Sequence, residues 1–172
     1  LPWSAHDPYA MYQSAFNYEA PIDRWIKLGK FHGQLSKLTQ LSILLANVMN
    51  KFYQEHQQKP YVLIPVPLHP KRVRQRGYNQ ALIICKMLSN MLDIPYDRKY
   101  VLRKKHTNAQ SELTGAARKK NMQGAFYINK DTKYPHVAII DDVITTGTTM
   151  KAIQSILPTS TKVSCWALAS VK

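Results

Sequence analysis

The sequence predicts an α/β protein built on a mostly parallel sheet flanked by helices. Three observations predict it. "HVAIIDDV", "TTMKAIQSIL" and "KVSCWALAS" follow one another as strand, helix and strand, a βαβ unit expected to be right-handed and parallel. "YVLIPVPL" is a second short apolar run of strand type, ended by Pro67 because proline removes a ladder donor. Between residues 34 and 53, Leu35, Leu38, Leu41, Leu44, Leu45, Val48, Met49 and Phe52 recur at three- and four-residue steps, the spacing of an amphipathic helix whose stripe belongs to the core.

The other segments fall into place around these. "YAMYQSAFNYE" suits a strand or hairpin, and "IDRWIKLGKF" a short helix. A further helix is expected over 78–92, with Ala81, Leu82, Ile84, Cys85, Leu88 and Leu92 inward, which makes Cys85 a core residue rather than a nucleophile. Residues 98–121 gather eight lysines and arginines against Glu112 alone, without apolar periodicity, as in a mobile segment or a partner surface. No linker divides the chain. Residues 1–58 are expected to form an N-terminal hood-like region with helices, and 59–172 the core, in one compact domain.

Composition limits the function. The chain has 172 residues, 45% apolar, enough for one buried core and too apolar for a disordered polyelectrolyte. With 24 Lys and Arg against 10 Asp and Glu, its net charge of +14 favours an anionic partner: a polyphosphate, a nucleic acid or a membrane surface. Cys85 and Cys165 form neither a metal-site spacing nor a disulfide framework. No apolar run approaches the roughly 18 residues of a membrane span, and no leader peptide is evident. A soluble, cytoplasmic setting is expected. Because the chain starts at Leu1 rather than Met, it is read as a possible fragment.

"VAIIDDVITTGTT", residues 137–149, concentrates the chemistry. If 137–140 is a buried parallel strand, Asp141 and Asp142 lie at its carboxyl end, where α/β sheets bind ligands. Thr145, Thr146, Gly147, Thr148 and Thr149 then supply hydroxyls, backbone N–H groups and the positive end of a helix dipole, a phosphate cradle in which Gly147 permits φ > 0. The carboxylates would repel phosphate, so they are expected to face ribose hydroxyls and a Mg²⁺ on an adjacent pyrophosphate. The plainer alternative is an acid pair capping a helix beside threonine turn residues. Glycines at 29, 33, 77, 115, 124 and 147 form no GxGxxG and no GxxxxGK[ST], so dinucleotide and P-loop sites lack a motif.

The whole of "VAIIDDVITTGTT" is similar to the phosphoribosyl pyrophosphate (PRPP) motif of type I phosphoribosyltransferases. With "KLGKFHG", "LIPVPLHPKRVRQRGYNQA" and "LRKKHTNAQSELTGAARKKNMQGAF" in the same order and spacing, the chain from about residue 9 resembles the competence protein ComF family. The resemblance implies a type I phosphoribosyltransferase-like fold, a role in natural competence and a set of site residues. Asp141 and Asp142 would contact ribose and the metal region, the threonine loop the 5′-phosphate, and the turn of Val66, Pro67, Lys71 and Arg72 the pyrophosphate. Residues 103–121, with Arg103, Gln110 and Arg118, would correspond to a closing loop, and Arg76 to the "RGxNQ" pattern, in which Asn79 and Gln80 could fix a loop against a helix start. Two departures stand out. The family carries a zinc-ribbon-like cysteine segment before an "LPW"-like stretch, where this chain begins; and some purine-specific members have Asp at the position of Thr145.

Around the pocket, Lys71, Arg72, Arg74 and Arg76 have no acid nearby in sequence, and Tyr78, Tyr96, Tyr100 and Tyr127 are interspersed with cations. Such a pattern fits either single-stranded DNA, held by stacking and phosphate contacts, or a solvated basic face with half-buried tyrosines. His69, His106 and His136 have no metal spacing. Two functions stay open: a PRPP-binding accessory protein of DNA uptake, with single-stranded DNA and the competence machinery as partners, or a Mg²⁺-dependent transferase moving ribose 5-phosphate from PRPP to a nitrogen acceptor.

Overall fold

The computed structural model describes residues 10–31, 33–104 and 124–171. Four parallel strands form the main sheet in the order β1 (Ala10–Asn17), β6 (Lys162–Ser170), β5 (His136–Ile144), β2 (Val62–Pro65). The predicted α/β class with a parallel sheet flanked by helices is what forms. Outside β2, Leu63 makes a further parallel bridge to Tyr96.

Alternation along the strands divides the core in two. Leu63, Ala138, Ile140, Trp166 and Leu168 face α1 (Ile22–Phe31), α2 (Leu35–His56) and α4 (Gln80–Leu92). Val62, Ile64, Val137, Ile139, Cys165 and Ala167 face the other way, toward α5 (Thr148–Gln154) and an antiparallel ribbon of β3 (Val101–Arg103) and β4 (Phe126–Ile128). Both faces are covered, which is why Val137 to Ile140 is an unbroken buried run.

The described parts of 1–58 and 59–172 share this sheet, because β1 pairs with β6 from Ala10↔Val163 to Asn17↔Ser170. Within the N-terminal part, α1 reaches over the site while β1 belongs to the sheet. The α2 stripe is only partly core. Its buried arc is Leu38, Leu41, Ser42, Leu45, Ala46, Met49 and Tyr53; Leu35, Leu44 and Val48 are exposed, since the seam against the sheet follows one row of three- and four-residue steps and they lie on its flanks or end.

A helix absent from the sequence reading, α3 (Pro70–Arg76), carries the basic run. His69 caps it, its Nδ1 accepting from the Lys71 N–H at 3.2 Å, Pro70 opens it, and Gly77 closes it at φ 83°. Cys85 is buried, as expected. No helix among the described residues is long and apolar enough to cross a membrane.

Candidate functional site

β5 outlasts its neighbour. Pairing with β2 ends at Pro65↔Ile140, whereas pairing with β6 continues through Asp141↔Ala167 to Ile144↔Ser170. The acids therefore lie within the strand rather than beyond its end, and the gap left where β2 stops opens beside them. That gap is a cavity of ≈ 390 Å³ lined by Asp141, Asp142, Thr145 and Thr149, by Val66 and Leu68, by Arg72, Arg76 and Arg103, and by Tyr18, Lys30, Phe31, Asn79 and Gln80. A nook of ≈ 20 Å³ adjoins it, lined by Asp141 and by Thr145, Thr146, Gly147, Thr148 and Thr149.

The nook is shaped by backbone. Gly147 adopts φ 70°, a left-handed conformation that disfavours a side chain, and the Thr146 and Thr148 hydroxyls meet at 2.7 Å. The helix behind the loop, α5, spans only seven residues, so hydroxyls and loop N–H groups, more than a macrodipole, define the donors.

Asp141 and Asp142 have different partners. Asp142 Oδ2 is paired with Lys30 Nζ at 3.0 Å, and Asp141 Oδ1 accepts the Asp142 backbone N–H at 2.8 Å. Burial, then the Asp142 charge, pushes the Asp141 carboxyl up to about 8, with Lys30 acting in the opposite sense. On the far wall, burial and then Arg72 lower the Arg103 guanidinium to about 10, while Asp141 partly offsets them. Arg76 is lowered for the same two reasons and offset by Asp142. Three guanidiniums gathered at this cost form a wall suited to an anion of several charges.

The motif "RGYNQ" explains how the wall is held. Asn79 Nδ2 donates to the Val66 carbonyl at 3.0 Å, fixing the loop after β2 against the start of α4, as the sequence suggests. The Tyr78 hydroxyl donates to the Gly29 carbonyl and Gln80 Nε2 to the Lys30 carbonyl at 3.4 Å, so the same motif also holds the end of α1.

Of the expected site residues, Asp141, Asp142, Thr145, Thr149, Val66, Arg72, Arg76 and Arg103 line the main cavity, and Thr146, Gly147 and Thr148 the nook. Pro67 is buried beside Val66 without lining either space, and Lys71 is exposed on α3 away from both. Gln110 and Arg118, with most of the expected closing loop, lie outside the described residues, as does His106. Sequence reasoning assigned no role to Lys30, Phe31 or Tyr18. "KLGKF" was legible as a motif, yet only tertiary structure brings it to Asp142. Tyr100 is fully buried and Tyr78 is engaged with Gly29, whereas Tyr96 and Tyr127 are partly exposed. His136 is buried against Ser164 Oγ at 3.3 Å.

A parallel α/β sheet with an acid pair in the carboxyl-terminal half of an inner strand, followed by a threonine-rich loop, is a phosphoribosyltransferase-like fold. Solved structures overlap it loosely: a purine phosphoribosyltransferase from Pyrococcus horikoshii at TM-score 0.39 and 17% identity, covering 94% of this chain and 86% of that one, and an adenine phosphoribosyltransferase from Leishmania tarentolae at 0.44 and 14%, covering 77% and 58%. Scores this low decide nothing about function. Sequence relatives are nearer: competence protein F of Haemophilus influenzae is 38% identical over 145 residues, 82% of this chain and 63% of that protein. The DNA utilization protein YhgH of Escherichia coli is 31% identical over 151 residues, 87% of this chain and 66% of that protein, and competence protein ComFC of Bacillus subtilis 25% over 142, 80% and 54%. The chain belongs to the competence protein F family. It spans just under two thirds of the length of the first two of these relatives. No protein-family model matches it.

Proposed function

We propose that the chain binds PRPP, or another 5-phosphoribosyl ligand, as part of a cytoplasmic protein of DNA uptake and utilisation that also engages single-stranded DNA. One observation carries the ligand: three arginines, an acid pair and a hydroxyl-lined nook converge on one cavity. In this reading the 5′-phosphate enters the nook, the ribose hydroxyls meet Asp141 and Asp142, and the pyrophosphate meets Arg72, Arg76 and Arg103. The names of the relatives support the DNA role, and the net charge of +14 suits it.

Magnesium enters this reading with the ligand. Mg²⁺ is ordinarily held by one or two carboxylates together with substrate phosphates. Here an ammonium already stands on Asp142, and among the described residues no group of three His, Cys, Asp or Glu could hold a metal. The residues do not fit a resident Mg²⁺; they fit one carried in on the PRPP pyrophosphate.

PRPP with Mg²⁺ should raise the melting temperature, because a ligand of the folded state alone adds about 2.7 kcal/mol at about a hundredfold excess over Kd. A thermal-shift titration should show that rise and its loss in the Asp141→Asn, Asp142→Asn double variant. No shift at millimolar PRPP sinks the pocket reading. The transferase alternative is favoured by one feature, the exposed Phe31 ring beside the acids, a surface on which a planar acceptor could lie. Pyrophosphate release dependent on an added base or amine, and lost in the double variant, would decide for it.

A further inference from the structure

Lys30, within the "KLGKF" stretch, lines this cavity although the phosphoribosyl reading gives it no role. Its Nζ lies 3.0 Å from Asp142 Oδ2, with the lysine side chain about a quarter exposed and that of Asp142 only 10%. A carboxylate so nearly buried is costly to leave without its cation. Everything around Lys30 keeps it there. It sits in the last turn of α1, where backbone carbonyls lack helical partners and a cation is favoured. Two of those carbonyls, of Gly29 and Lys30 itself, are claimed by Tyr78 and Gln80 from a separate segment. The helix has no slack beneath it either: a Cβ on Gly29 would stand 2.4 Å from Leu38 Cγ, so α1 lies directly on α2.

An ammonium has three donors, and the bond to Asp142 uses one. The others are available to oxygens of a ligand in the cavity. We propose that Lys30 is the built-in cation of the acid pair, holding a phosphoribosyl group at Asp142 without a divalent metal, so that Mg²⁺ is needed only by ligands that bring a pyrophosphate. This deepens the phosphoribosyl reading and rests on it. It makes Lys30 a positioning residue for the sugar.

Ribose 5-phosphate tests it, since this ligand lacks the pyrophosphate that binds the metal. Calorimetric titration of the whole chain should give the same Kd in EDTA and in millimolar Mg²⁺. Lys30→Met should weaken binding in EDTA by at least about tenfold, the worth of a charge-assisted hydrogen bond, and part of the loss should return with Mg²⁺. Lys30→Arg, which keeps the charge, should remain independent of metal. Should Lys30→Met melt far below the parent, Tyr78→Phe replaces it: losing the tether at Gly29 should weaken binding in EDTA more than in Mg²⁺. Wild-type binding that disappears in EDTA overturns the role of Lys30 and leaves the pocket reading intact. Unchanged affinity of a folded Lys30→Met in EDTA does the same. Absence of both ribose 5-phosphate and PRPP binding under every condition removes the pocket reading, and this inference with it.

Discussion

His136 opens β5 and Asp141 lies five residues further along it, and the two respond to pH with opposite sign. The Asp141 carboxyl is raised to about 8, first by burial and then by Asp142, against the pull of Lys30 and of the Asp142 backbone N–H; Arg103 and Cys165 also face its charge. A carboxyl raised on folding adds stability that is complete below its ordinary value and is lost as pH climbs toward about 8. Asp141→Asn should therefore gain melting temperature relative to the parent from about pH 4 to about pH 8 and hold a constant advantage above that. Parallel curves would refute this burial effect. His136 is lowered to about 4 by burial and then by Lys162, with a bond to the Lys59 backbone opposing, so its contribution is full above the ordinary imidazole value and is lost as pH falls toward about 4. His136→Asn should flatten that acid limb in the same melts. At this scale the sequence was legible where chemistry is contiguous, from Asp141 to Thr149. Lys30 was not, because only folding relates it to Asp142.

Helix contacts rather than single groups set the position of α1. Replacing Gly29 by Ala forces a methyl into Leu38, and overpacking of this kind costs about 1–3 kcal/mol. The urea midpoint should fall accordingly, and ribose 5-phosphate affinity in EDTA should fall with it because Lys30 rides on the same turn; an unchanged midpoint would show that α1 can lift without loss. Long, periodic elements were legible: α1 and β6 were read at their observed limits, and α4 within two residues. Short ones were not. At three residues each, β3 and β4 carry too little alternation to read, and α3 is a charged seven-residue helix without periodicity. Pro70 and Gly77 did spell its limits, since an N-terminal proline and a left-handed glycine mark the two ends of a helix, whereas His69 is a cap that only the structure reveals.

At the scale of the whole molecule the net charge is +14, and α3 shows how one helix could serve two ligands. Arg72 and Arg76 line the cavity, whereas Arg74 is exposed outside it. Single-stranded DNA should bind with steep salt dependence, each neutralised phosphate contributing about 0.7 to the slope of log K against log salt. Arg74→Ala should lower that slope with PRPP binding intact, while Arg72→Ala and Arg76→Ala should weaken both. A slope indifferent to all three would move the DNA surface elsewhere.

Because β1 sits at the edge of the sheet with β6 as its hydrogen-bonded partner, the chain has an order of assembly during synthesis. A ribosome releases β1, α1 and α2 long before the strand that must separate β1 from β5 has been translated. Until Ser170 leaves the exit tunnel, those early elements can close on one another and on α4 but not on Trp166 and Leu168, and the apolar surface left open on their sheet side suits a chaperone. Lys30 likewise waits for Asp142, more than a hundred residues behind it. Nascent chains stalled before β6 should be cut readily by protease, and chains released after it should resist.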